Sequence, residues 1–383
     1  MRVLALNAGS STFKWTLLDE RDRATIRSGE EDWSADDLGR RDEKLRTTLR
    51  EMLRGIAGFD VVGHRVVHGG RRFLESVVVD RDVRAALEEL TALDPVHMRP
   101  ALFGIDAVSR ELPAVTQIAT FDTAFHARMP DAAACYALPF EWSERWGLRR
   151  FGFHGLSVAY SLERAREILA QTPHRMIVCH LGSGCSVTAL LDGRSVDTSM
   201  GFSPIDGVVM ATRSGSLDPG LLLHLQTSCG VGAADLFEAI QTRSGLLGLS
   251  GVSGDLRRVL AAADTGSARA RLAYDAFVWS LRRAMGAAAG VLGGVDAIVF
   301  TGGIGENSAR VRGDVAPALA FAGLRLEDSD RADGGDRLIS ASDSQIAALV
   351  IHAREDLMIL DEVARLVGRL PAGEPAPRAE PRT

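Results

Sequence analysis

Two stretches of the sequence decide the fold: Leu4-Ala5-Leu6-Asn7-Ala8-Gly9-Ser10-Ser11 and Val178-Cys179-His180-Leu181-Gly182-Ser183-Gly184-Cys185. In each, an apolar run leads into a turn rich in glycine and serine, and a second apolar run follows the turn. The likeness continues at the same offset, because Leu17-Leu18-Asp19 corresponds to Leu190-Leu191-Asp192. The repeat predicts a duplicated β-hairpin and therefore a chain with two related halves.

The turns of both hairpins carry groups that bind phosphate. Ser10, Ser11 and Thr12 supply hydroxyl groups, Gly9 lets the backbone approach a ligand closely, and Lys14 alternates onto the same face as Thr12. Oriented N–H groups in such turns form a concavity that binds anions. Two facing hairpins therefore predict a two-lobed phosphotransferase, although ordinary turn chemistry also accounts for these residue types.

The composition is that of a soluble protein with two domains of ordinary size. The chain has 383 residues, of which 46% are hydrophobic and 25% charged. The formal charge is −6 without a basic block, so we expect no nucleic acid and no membrane as partner. The four cysteines form no CxxC pair, and no secretory segment is recognisable at the start, so we expect a cytoplasmic protein.

Strand and helix patterns alternate along the chain. Buried strands are predicted at Val61–Val67, Val115–Phe121 and Val295–Phe300, and a long amphipathic helix from Arg271. The last of these strands leads into Gly302–Asn307, which we predict to be a ligand loop. No G-x-x-x-x-G-K-[ST] motif and no helix-opening G-x-G-x-x-G motif is present, so the phosphates must be bound in another way. The alternation favours an α/β protein.

Four polar residues stand in unusual sequence contexts. Arg65 lies inside an apolar strand and Arg213 follows a loop with glycine and proline, while Asp122 and His154 are flanked by aromatic residues. A partly buried arginine needs a carboxylate or a phosphate, because its planar fork pairs with planar anions. Each arginine is therefore either an anion-binding residue or one half of a structural ion pair.

The chain resembles the acetokinase family, the branch of the actin and sugar-kinase superfamily that contains acetate, propionate and butyrate kinases. The likeness runs from Met1 to about residue 365. Its motifs are Asn7-Ala8-Gly9-Ser10-Ser11, Gly63-His64-Arg65-Val66-Val67-His68-Gly69-Gly70, Phe121-Asp122-Thr123-Ala124-Phe125-His126, Gly152-Phe153-His154-Gly155, Val196-Asp197-Thr198-Ser199-Met200-Gly201-Phe202, Thr212-Arg213-Ser214-Gly215, Ser244-Gly245-Leu246-Leu247-Gly248 and Gly303-Ile304-Gly305-Glu306-Asn307-Ser308.

The resemblance implies an α/β fold of two duplicated actin-like (ribonuclease H-like) domains with an active-site cleft between them. The N-terminal domain would comprise residues 1–124 and 357–383, with residues 371–383 a disordered tail, and the C-terminal nucleotide-binding domain residues 125–356. The implied activity is the reversible, ATP- and Mg²⁺-dependent phosphorylation of acetate to an acyl phosphate and ADP, in a homodimer. Alternatives are a kinase of longer acids such as propionate or butyrate, and a nucleotide-binding regulator with weak turnover.

The resemblance also implies a role for individual residues. Asp122, His154 and Arg213 would be catalytic, with Asp122 as the acid/base or positioning carboxylate. The substrate, a short-chain carboxylate or acyl phosphate, would contact Arg65, Val67, Val96, Phe153 and Pro204. Asn7 and Glu355 would hold Mg²⁺. The nucleotide would be bound by Ser10, Ser11, Thr12, Lys14, His180, Leu181, Gly182, Ser183 and Gly184 at its phosphates, and by Asp255, Leu256, Arg257, Gly303, Ile304, Gly305, Glu306 and Asn307 at its adenosine.

Elementary electrostatics supports these roles. A carboxylic acid with a pKa of about 4 to 5 is already ionised at neutral pH, so the nucleophile needs no general base. The obstacle is repulsion, because two unit charges about 4 Å apart at an effective dielectric constant near 20 interact by roughly 4 kcal/mol. Arginines, a lysine and Mg²⁺ screen that repulsion. We therefore interpret Asp122 as a positioning carboxylate that is paired with an arginine.

The sequence departs from the family pattern at seven residues. His97-Met98-Arg99 stands where the family has His-Asn-Pro, and Leu156 and Val158 replace Thr and His in the motif Phe-His-Gly-Thr-Ser-His. Val96 replaces leucine, Ser183 asparagine and Arg354 asparagine. One methylene less at Val96 predicts a slightly roomier acyl pocket, worth about 1–3 kcal/mol in discrimination between acids.

Overall fold

The structure is a computed structural model that describes residues 1–9, 12–32, 43, 47–48, 50–51, 58–327 and 335–368. The chain forms two compact units: Met1–Ala127 joined by the C-terminal residues from Arg354, and Arg128–Ala353. Ser10, Ser11 and the tail predicted at residues 371–383 lie outside the described residues.

The strands are β1 (Arg2–Ala8), β2 (Thr12–Asp19), β3 (Thr25–Asp32), β4 (Val61–Val66), β5 (Val77–Val78), β6 (Thr116–Phe121), β7 (Arg175–Leu181), β8 (Cys185–Leu191), β9 (Arg194–Thr198), β10 (Ala297–Thr301), β11 (Arg337–Leu338) and β12 (Ala347–Val350). The described helices are α1 (Arg81–Leu90), α2 (Pro95–Glu111), α3 (Asp131–Ala134), α4 (Phe140–Trp146), α5 (Gly155–Leu169), α6 (Pro219–Thr227), α7 (Ala233–Thr242), α8 (Gly245–Ser250), α9 (Leu256–Asp264), α10 (Ala268–Leu292), α11 (Gly302–Asn307), α12 (Ala309–Val315) and α13 (Glu355–Val367). Two 3₁₀ turns cover Ala124–His126 and Ala316–Ala322.

The two units contain the same sheet. The strand order is β3-β2-β1-β4-β6-β5 in the first and, read in the same direction, β9-β8-β7-β10-β12-β11 in the second. In each, three antiparallel strands are followed by two parallel ones, and an antiparallel strand closes the edge. This duplicated, actin-like arrangement confirms the predicted α/β fold class.

The repeated sequence forms the first hairpin of each sheet, as predicted. The β1–β2 pairing ends at Ala8 opposite Phe13, and the β7–β8 pairing at Leu181 opposite Cys185. Backbone hydrogen bonds close both turns: the N–H of Gly9 donates to the carbonyl of Thr12 over 2.8 Å, and that of Gly182 to the carbonyl of Gly184 over 2.9 Å. Gly9 and Gly182–Gly184 therefore lie where the strands of each hairpin turn back.

Apolar burial positions these turns. In the first unit, Leu4, Leu6 and Phe13 pack in one cluster with Val62 and Val108, which joins the hairpin to β4 and α2. In the second unit, Phe277, Leu281 and Met285 of α10 are fully buried, so the predicted four-residue periodicity is that of a core helix. No helix in the described ranges is long and apolar enough to cross a membrane.

Residues 302–307 differ from the sequence prediction in their backbone. They form the short helix α11 instead of an irregular loop. Gly302 has φ +77°, and a Cβ there would lie 2.8 Å from the carbonyl oxygen of Leu181, so only glycine makes this turn out of β10. The high glycine content of this segment favours a loop. Composition alone does not show that the chain makes one turn at Gly302 and then becomes helical.

Candidate active site

In the first unit, Arg65 and Asp122 form a buried ion pair. Arg65 is the penultimate residue of β4, and Asp122 follows the last residue of the neighbouring strand β6. The Nε of Arg65 donates to both carboxylate oxygens of Asp122 over 3.0 and 3.1 Å, and its Nη2 donates to Oδ2. The carboxyl ends of adjacent parallel strands bring the two side chains together.

Asn7 and Glu355 complete this cluster. The Nη1 of Arg65 donates to Oδ1 of Asn7 over 3.0 Å, and the Nδ2 of Asn7 donates to Oε2 of Glu355 over 3.0 Å. Glu355 Oε2 also lies 3.4 Å from Arg65 Nε. Burial by itself lowers the pKa of Arg65, but the charges of Asp122 and Glu355 outweigh it and hold that pKa above its usual value. Two carboxylates against one guanidinium leave the cluster negative.

The donor set of this cluster fits Mg²⁺. Carboxylate and amide oxygens are the ligands that Mg²⁺ prefers, and the ion usually takes one or two carboxylates together with water and substrate phosphates. Within the described ranges, no three His, Cys, Asp or Glu side chains form a metal cluster. Asn7 and Glu355 therefore suit an ion whose remaining ligands come from the nucleotide and water.

Lys14 and Thr12 lie on the second strand of the same hairpin. Lys14 is directly opposite Asn7 in the strand register. Its side chain is 54% exposed, and Nζ lies 3.2 Å from Glu30 Oε1. A phosphate that binds Lys14 must therefore compete with a solvent-exposed carboxylate, which is a weak competitor.

Apolar residues predicted to hold the acyl chain occur in both units. In the first unit, Val67 is buried directly after β4, and Val96 near the start of α2 is 36% exposed. In the second unit, Phe153 and Pro204 are both buried. Their role in binding the substrate stays a prediction.

In the second unit, His154, Arg213 and the β7–β8 turn come together. A Cβ built on Gly184 would lie 3.3 Å from His154 Nε2 and 3.3 Å from Arg213 Nη1. One built on Gly182 would lie 3.7 Å from His180 Nε2. His154 has φ +59°, a left-handed backbone conformation that non-glycine residues rarely adopt and that concentrates at functional sites. The turn thus has two imidazoles and one guanidinium around it.

Two buried serines contact these histidines. The Oγ of Ser186 lies 3.0 Å from His154 Nδ1, and the Oγ of Ser157 lies 2.8 Å from His180 Nδ1. Sequence reasoning missed both serines as functional residues. Their only signal was a polar side chain at a position that strand or helix periodicity assigns to the core.

The loop of Arg213 is held by backbone packing. The Nη1 of Arg213 donates to the carbonyl of Pro204 over 3.1 Å. Gly245, with φ +62°, lies so close to this loop that a Cβ would be 2.2 Å from the carbonyl oxygen of Met210 and 2.7 Å from that of Arg213. The first residue of α8 must therefore be glycine for the arginine to keep its place.

A cavity of about 790 Å³ in the second unit adjoins the β7–β8 turn. This volume suits a nucleotide, since ligand pockets range from about 300 to 1,000 Å³. Eight of the predicted nucleotide-binding residues line it: Gly182, Ser183, Asp255, Leu256, Arg257, Gly303, Ile304 and Asn307. Other lining residues are Ala211, Gly254, Leu260, Ser308 and Arg310. The structure therefore brings together turn, α9 and α11 residues that are far apart in sequence.

Seven described residues among those predicted to bind the nucleotide do not line the cavity: Thr12, Lys14, His180, Leu181, Gly184, Gly305 and Glu306. Leu181 is fully buried, and Gly305 is buried against the end of β10. The carboxylate of Glu306 instead binds Nδ1 of His352 and accepts a 3.0 Å hydrogen bond from the N–H of Ala353. Burial raises the pKa of Glu306, but these hydrogen bonds outweigh it and lower that pKa overall.

The departures from the family pattern are accommodated locally. Met98 is fully buried in the core of the first unit, and Leu156 and Val158 are buried in α5. The guanidinium of Arg354 donates to the carboxylate of Asp356 over 2.9 and 3.0 Å and to the hydroxyl of Thr25 over 3.1 Å. Arg354 is thus paired with Asp356, next in the chain to the proposed metal ligand Glu355.

Comparisons with known proteins agree with these observations. The Acetokinase family matches residues 42–361. The acetate kinase of Nostoc punctiforme is 42% identical, with 94% of this chain and 98% of the relative covered. That of Trichormus variabilis is 40% identical, with 96% and 100% covered.

Solved structures show the same likeness. The acetate kinase of Porphyromonas gingivalis superimposes with a TM-score of 0.83 at 34% identity, covering 96% of this chain and 99% of that one. The propionate kinase of Francisella tularensis gives 0.84 at 33% identity, covering 94% and 98%. With the repeated sheet and the two clusters of polar residues, these matches mean that the chain belongs to the acetokinase family of phosphotransferases.

Proposed function

We propose that the protein is an acetate kinase, which transfers the γ-phosphoryl group of ATP to acetate and forms acetyl phosphate and ADP reversibly. The observation that carries the proposal is the Arg65 cluster with Asn7, Asp122 and Glu355, found in a chain that aligns almost end to end with acetate kinases. The proposal draws on groups from both units. The nucleotide would use the cavity of the second unit, and the carboxylate the cluster of the first.

The step is an in-line displacement on phosphorus. A carboxylate oxygen forms the new bond to the γ-phosphorus, the bond from that phosphorus to the β–γ bridging oxygen breaks, and ADP keeps the electron pair. No proton moves, because acetic acid is ionised at neutral pH. The protein therefore has to position two anions and offset their repulsion.

Arg65 is suited to bind the carboxylate of the substrate. Among the described residues, its Nε, Nη1 and Nη2 each donate to Asp122 or Asn7. Each Nη atom carries two N–H groups, so one on each remains for the two oxygens of a planar carboxylate. Asp122 then acts as the group that fixes the plane of the guanidinium, which agrees with the role of a positioning carboxylate.

Asn7 and Glu355 would hold Mg²⁺ at the negative side of the same cluster. Mg²⁺ held by these two residues would supply positive charge that offsets part of the negative charge of the nucleotide's phosphates. Glu355 opens α13, and its carboxylate is already oriented by the amide of Asn7. Because this hydrogen bond already holds the two side chains together, less conformational entropy would be lost when they bind the ion.

His154, His180 and Arg213 would bind the phosphoryl group that is transferred. All three lie around the β7–β8 turn. Donors fixed before the reaction stabilise charge that spreads over the phosphoryl oxygens in the transition state. The apolar part of the cavity, with Leu260 and Ile304, suits the adenine ring.

A hydroxylamine trap for acyl phosphate tests the proposed activity. The protein is incubated with ATP, Mg²⁺ and either acetate, propionate or butyrate, and the hydroxamate is measured. We expect acetate to give the highest kcat/KM, with propionate next because Val96 leaves room for one methylene more. ATP binding without hydroxamate from any acid would favour a regulator, and a preference for butyrate would favour a kinase of longer acids.

We also propose a cytoplasmic homodimer whose contact includes α6. None of the residues of α6 is buried, and Leu221 and Leu223 are 46% and 60% exposed. A second copy of the chain would cover this apolar helix. Sedimentation velocity tests it: Leu223→Glu should yield monomers, whereas Leu272→Glu on the equally exposed face of α10 should remain dimeric. Cell fractionation tests the compartment.

A further inference from the structure

Ser157 and Ser186 have an unusual position for serine. Both side chains are fully buried, one in α5 and one in β8, and each hydroxyl reaches Nδ1 of a different histidine. Ser186 contacts His154 over 3.0 Å, and Ser157 contacts His180 over 2.8 Å. A single buried hydroxyl that is hydrogen-bonded is ordinary. Here two buried hydroxyls make the same contact, each with the Nδ1 atom of one of two neighbouring histidines.

The opposite nitrogen of each ring faces the phosphate-binding turn. His154 Nε2 lies 3.3 Å from a Cβ built on Gly184, and His180 Nε2 lies 3.7 Å from one built on Gly182. The rings are close together, with 4.1 Å between their centroids and 33° between their planes. The serines thus fix which nitrogen of each imidazole points into the turn.

We propose that Ser157 and Ser186 are positioning residues that donate their hydroxyl hydrogens to Nδ1 of His180 and His154 and thereby place the proton of each neutral imidazole on Nε2. Each ring then offers an N–H donor to the turn without carrying a charge. The inference rests on the proposed function only for what is bound there, namely an oxygen of the transferred phosphoryl group.

Electrostatics explains why neutral rings are favoured. Two imidazolium groups at this separation would repel each other, and Arg213 Nη1 adds a positive charge beside the same turn. A neutral imidazole has one donor and one acceptor nitrogen, and the hydrogen bond at one nitrogen decides which is which. A hydroxyl that donates to Nδ1 therefore leaves the hydrogen on Nε2. The opposite tautomer would direct a lone pair at an anionic ligand.

The tautomers can be measured directly. Long-range ¹H–¹⁵N correlation spectra of the ¹⁵N-histidine-labelled protein at pH 8, without nucleotide, distinguish Nε2–H from Nδ1–H rings. We expect both His154 and His180 as Nε2–H tautomers in the wild type. An Nδ1–H tautomer or an imidazolium at either ring would overturn the proposal, whatever the enzymatic activity.

Substitutions then test whether the serines are the cause. Ser186→Ala should shift His154 toward a mixture of tautomers and leave His180 unchanged, and Ser157→Ala should do the converse. Ser161→Ala is the matched control, because Ser161 is fully buried one turn further along α5 and its hydroxyl has no hydrogen-bond partner in the described structure. If the histidine spectra of Ser186→Ala and Ser157→Ala both matched those of the wild type, the proposal would also be overturned.

Kinetics gives an independent readout. Ser186→Ala should lower kcat about 10- to 100-fold, as loss of a group that orients a functional histidine does elsewhere, with the KM for acetate unchanged. Ser186→Thr keeps the hydroxyl and should recover most of the rate. Equal activity of the alanine and threonine variants would contradict the positioning role. A wild type with the expected tautomers but no kinase activity would count against the proposed function and not against the tautomer assignment.

Discussion

Arg65 and Asp122 pair through two nitrogen atoms of the guanidinium, and only 1% of the Asp122 side chain is exposed. The carboxylate therefore has no room to act as a mobile base. Its charge offsets that of Arg65, and its two oxygens set the plane of the guanidinium. The pair therefore fixes the direction in which the remaining N–H groups of Arg65 point.

Asp122→Asn should distinguish the effect of the negative charge of Asp122 from the effect of its side-chain shape. The amide keeps the volume but donates hydrogen from one side, so it can accept from Arg65 at only one atom and the guanidinium loses its fixed plane. We expect kcat/KM for acetate to fall about 100-fold and the free energy of unfolding to fall by about 3 kcal/mol. Steady-state kinetics and urea unfolding measure the two.

The control for Asp122→Asn is Asp296→Asn. In the second unit, Asp296 pairs with two nitrogen atoms of the Arg175 guanidinium, and both side chains are about one third exposed. Loss of this pair should change stability by at most about 1 kcal/mol and leave the kinetics as they are. Turnover retained by Asp122→Asn would refute the positioning role.

Gly184→Ala should disturb the groups around the β7–β8 turn without straining the backbone. Gly184 is not at positive φ, but its new Cβ would be 3.3 Å from both His154 Nε2 and Arg213 Nη1, which is tighter than ordinary contact. Both groups must move by a few tenths of an ångström, and the methyl would occupy space where we propose that phosphate binds. We expect kcat to fall about 10- to 100-fold with little change in thermal stability.

Gly286→Ala is the matched glycine control. A Cβ at Gly286, in the middle of α10, meets nothing within 4 Å. Alanine there should raise the free energy of unfolding by about 0.5–1 kcal/mol and leave kcat unchanged, because the helix gains propensity only. An equal loss of activity in both variants would show that the effect of Gly184→Ala is not local.

Local sequence patterns predicted the parts of the fold that depend on local chemistry. The duplicated hairpins, the strand that carries Arg65 and the long helix α10 follow from apolar alternation and periodicity, and all are present. The hydrogen bond between Asn7 and Glu355 joins residues 348 positions apart. No local pattern encodes such a contact, so only the resemblance to a family placed the two residues together.

Contacts that depend on side-chain direction were beyond prediction. Glu306 lies within a glycine-rich motif that suggests ligand binding, yet its carboxylate turns to His352 and Ala353. Likewise, the sequence does not show that Ser157, in a helix, and Ser186, in a strand, reach two neighbouring histidines. Periodicity assigns a residue to a face and says nothing about which polar atom it meets there.

His64 should make the stability of the first unit depend on pH. It is buried in β4, and Gln117 donates to Ser109 through Nε2, which directs Oε1 of Gln117 to His64 Nε2 over 2.8 Å. Burial lowers the pKa of His64 from 6.5 to about 4, and the hydrogen bond to Gln117 opposes this only in part. Between pH 6.5 and about 4, His64 is therefore protonated in the unfolded chain but neutral in the folded chain.

The sign follows from the linkage between protonation and folding. Because the unfolded state binds more protons between pH 6.5 and about 4, the free energy of unfolding falls as the pH is lowered through this window, by about 3 kcal/mol in total. His64→Gln has no titrating group and should lose this part of the dependence. Urea unfolding of both proteins at pH 7 and pH 4.5 measures the difference; parallel pH profiles would contradict the assignment of His64 as a neutral buried residue.

Glu306→Gln should distinguish an anchoring role from nucleotide binding. The glutamine can still accept the hydrogen bond from Ala353, but it loses the charge that pairs with His352, an exposed residue. Since Glu306 does not line the cavity, we expect the affinity for ATP to stay within about twofold and the free energy of unfolding to fall by at most about 1 kcal/mol. Isothermal titration with ATP and thermal melts measure both.

Ile304→Trp serves as the contrasting variant. Ile304 lines the cavity, so its replacement by the larger tryptophan should fill that space and weaken ATP binding at least tenfold. A Glu306→Gln protein that binds ATP as weakly as Ile304→Trp would support the adenosine-binding role that the family resemblance implied for Glu306.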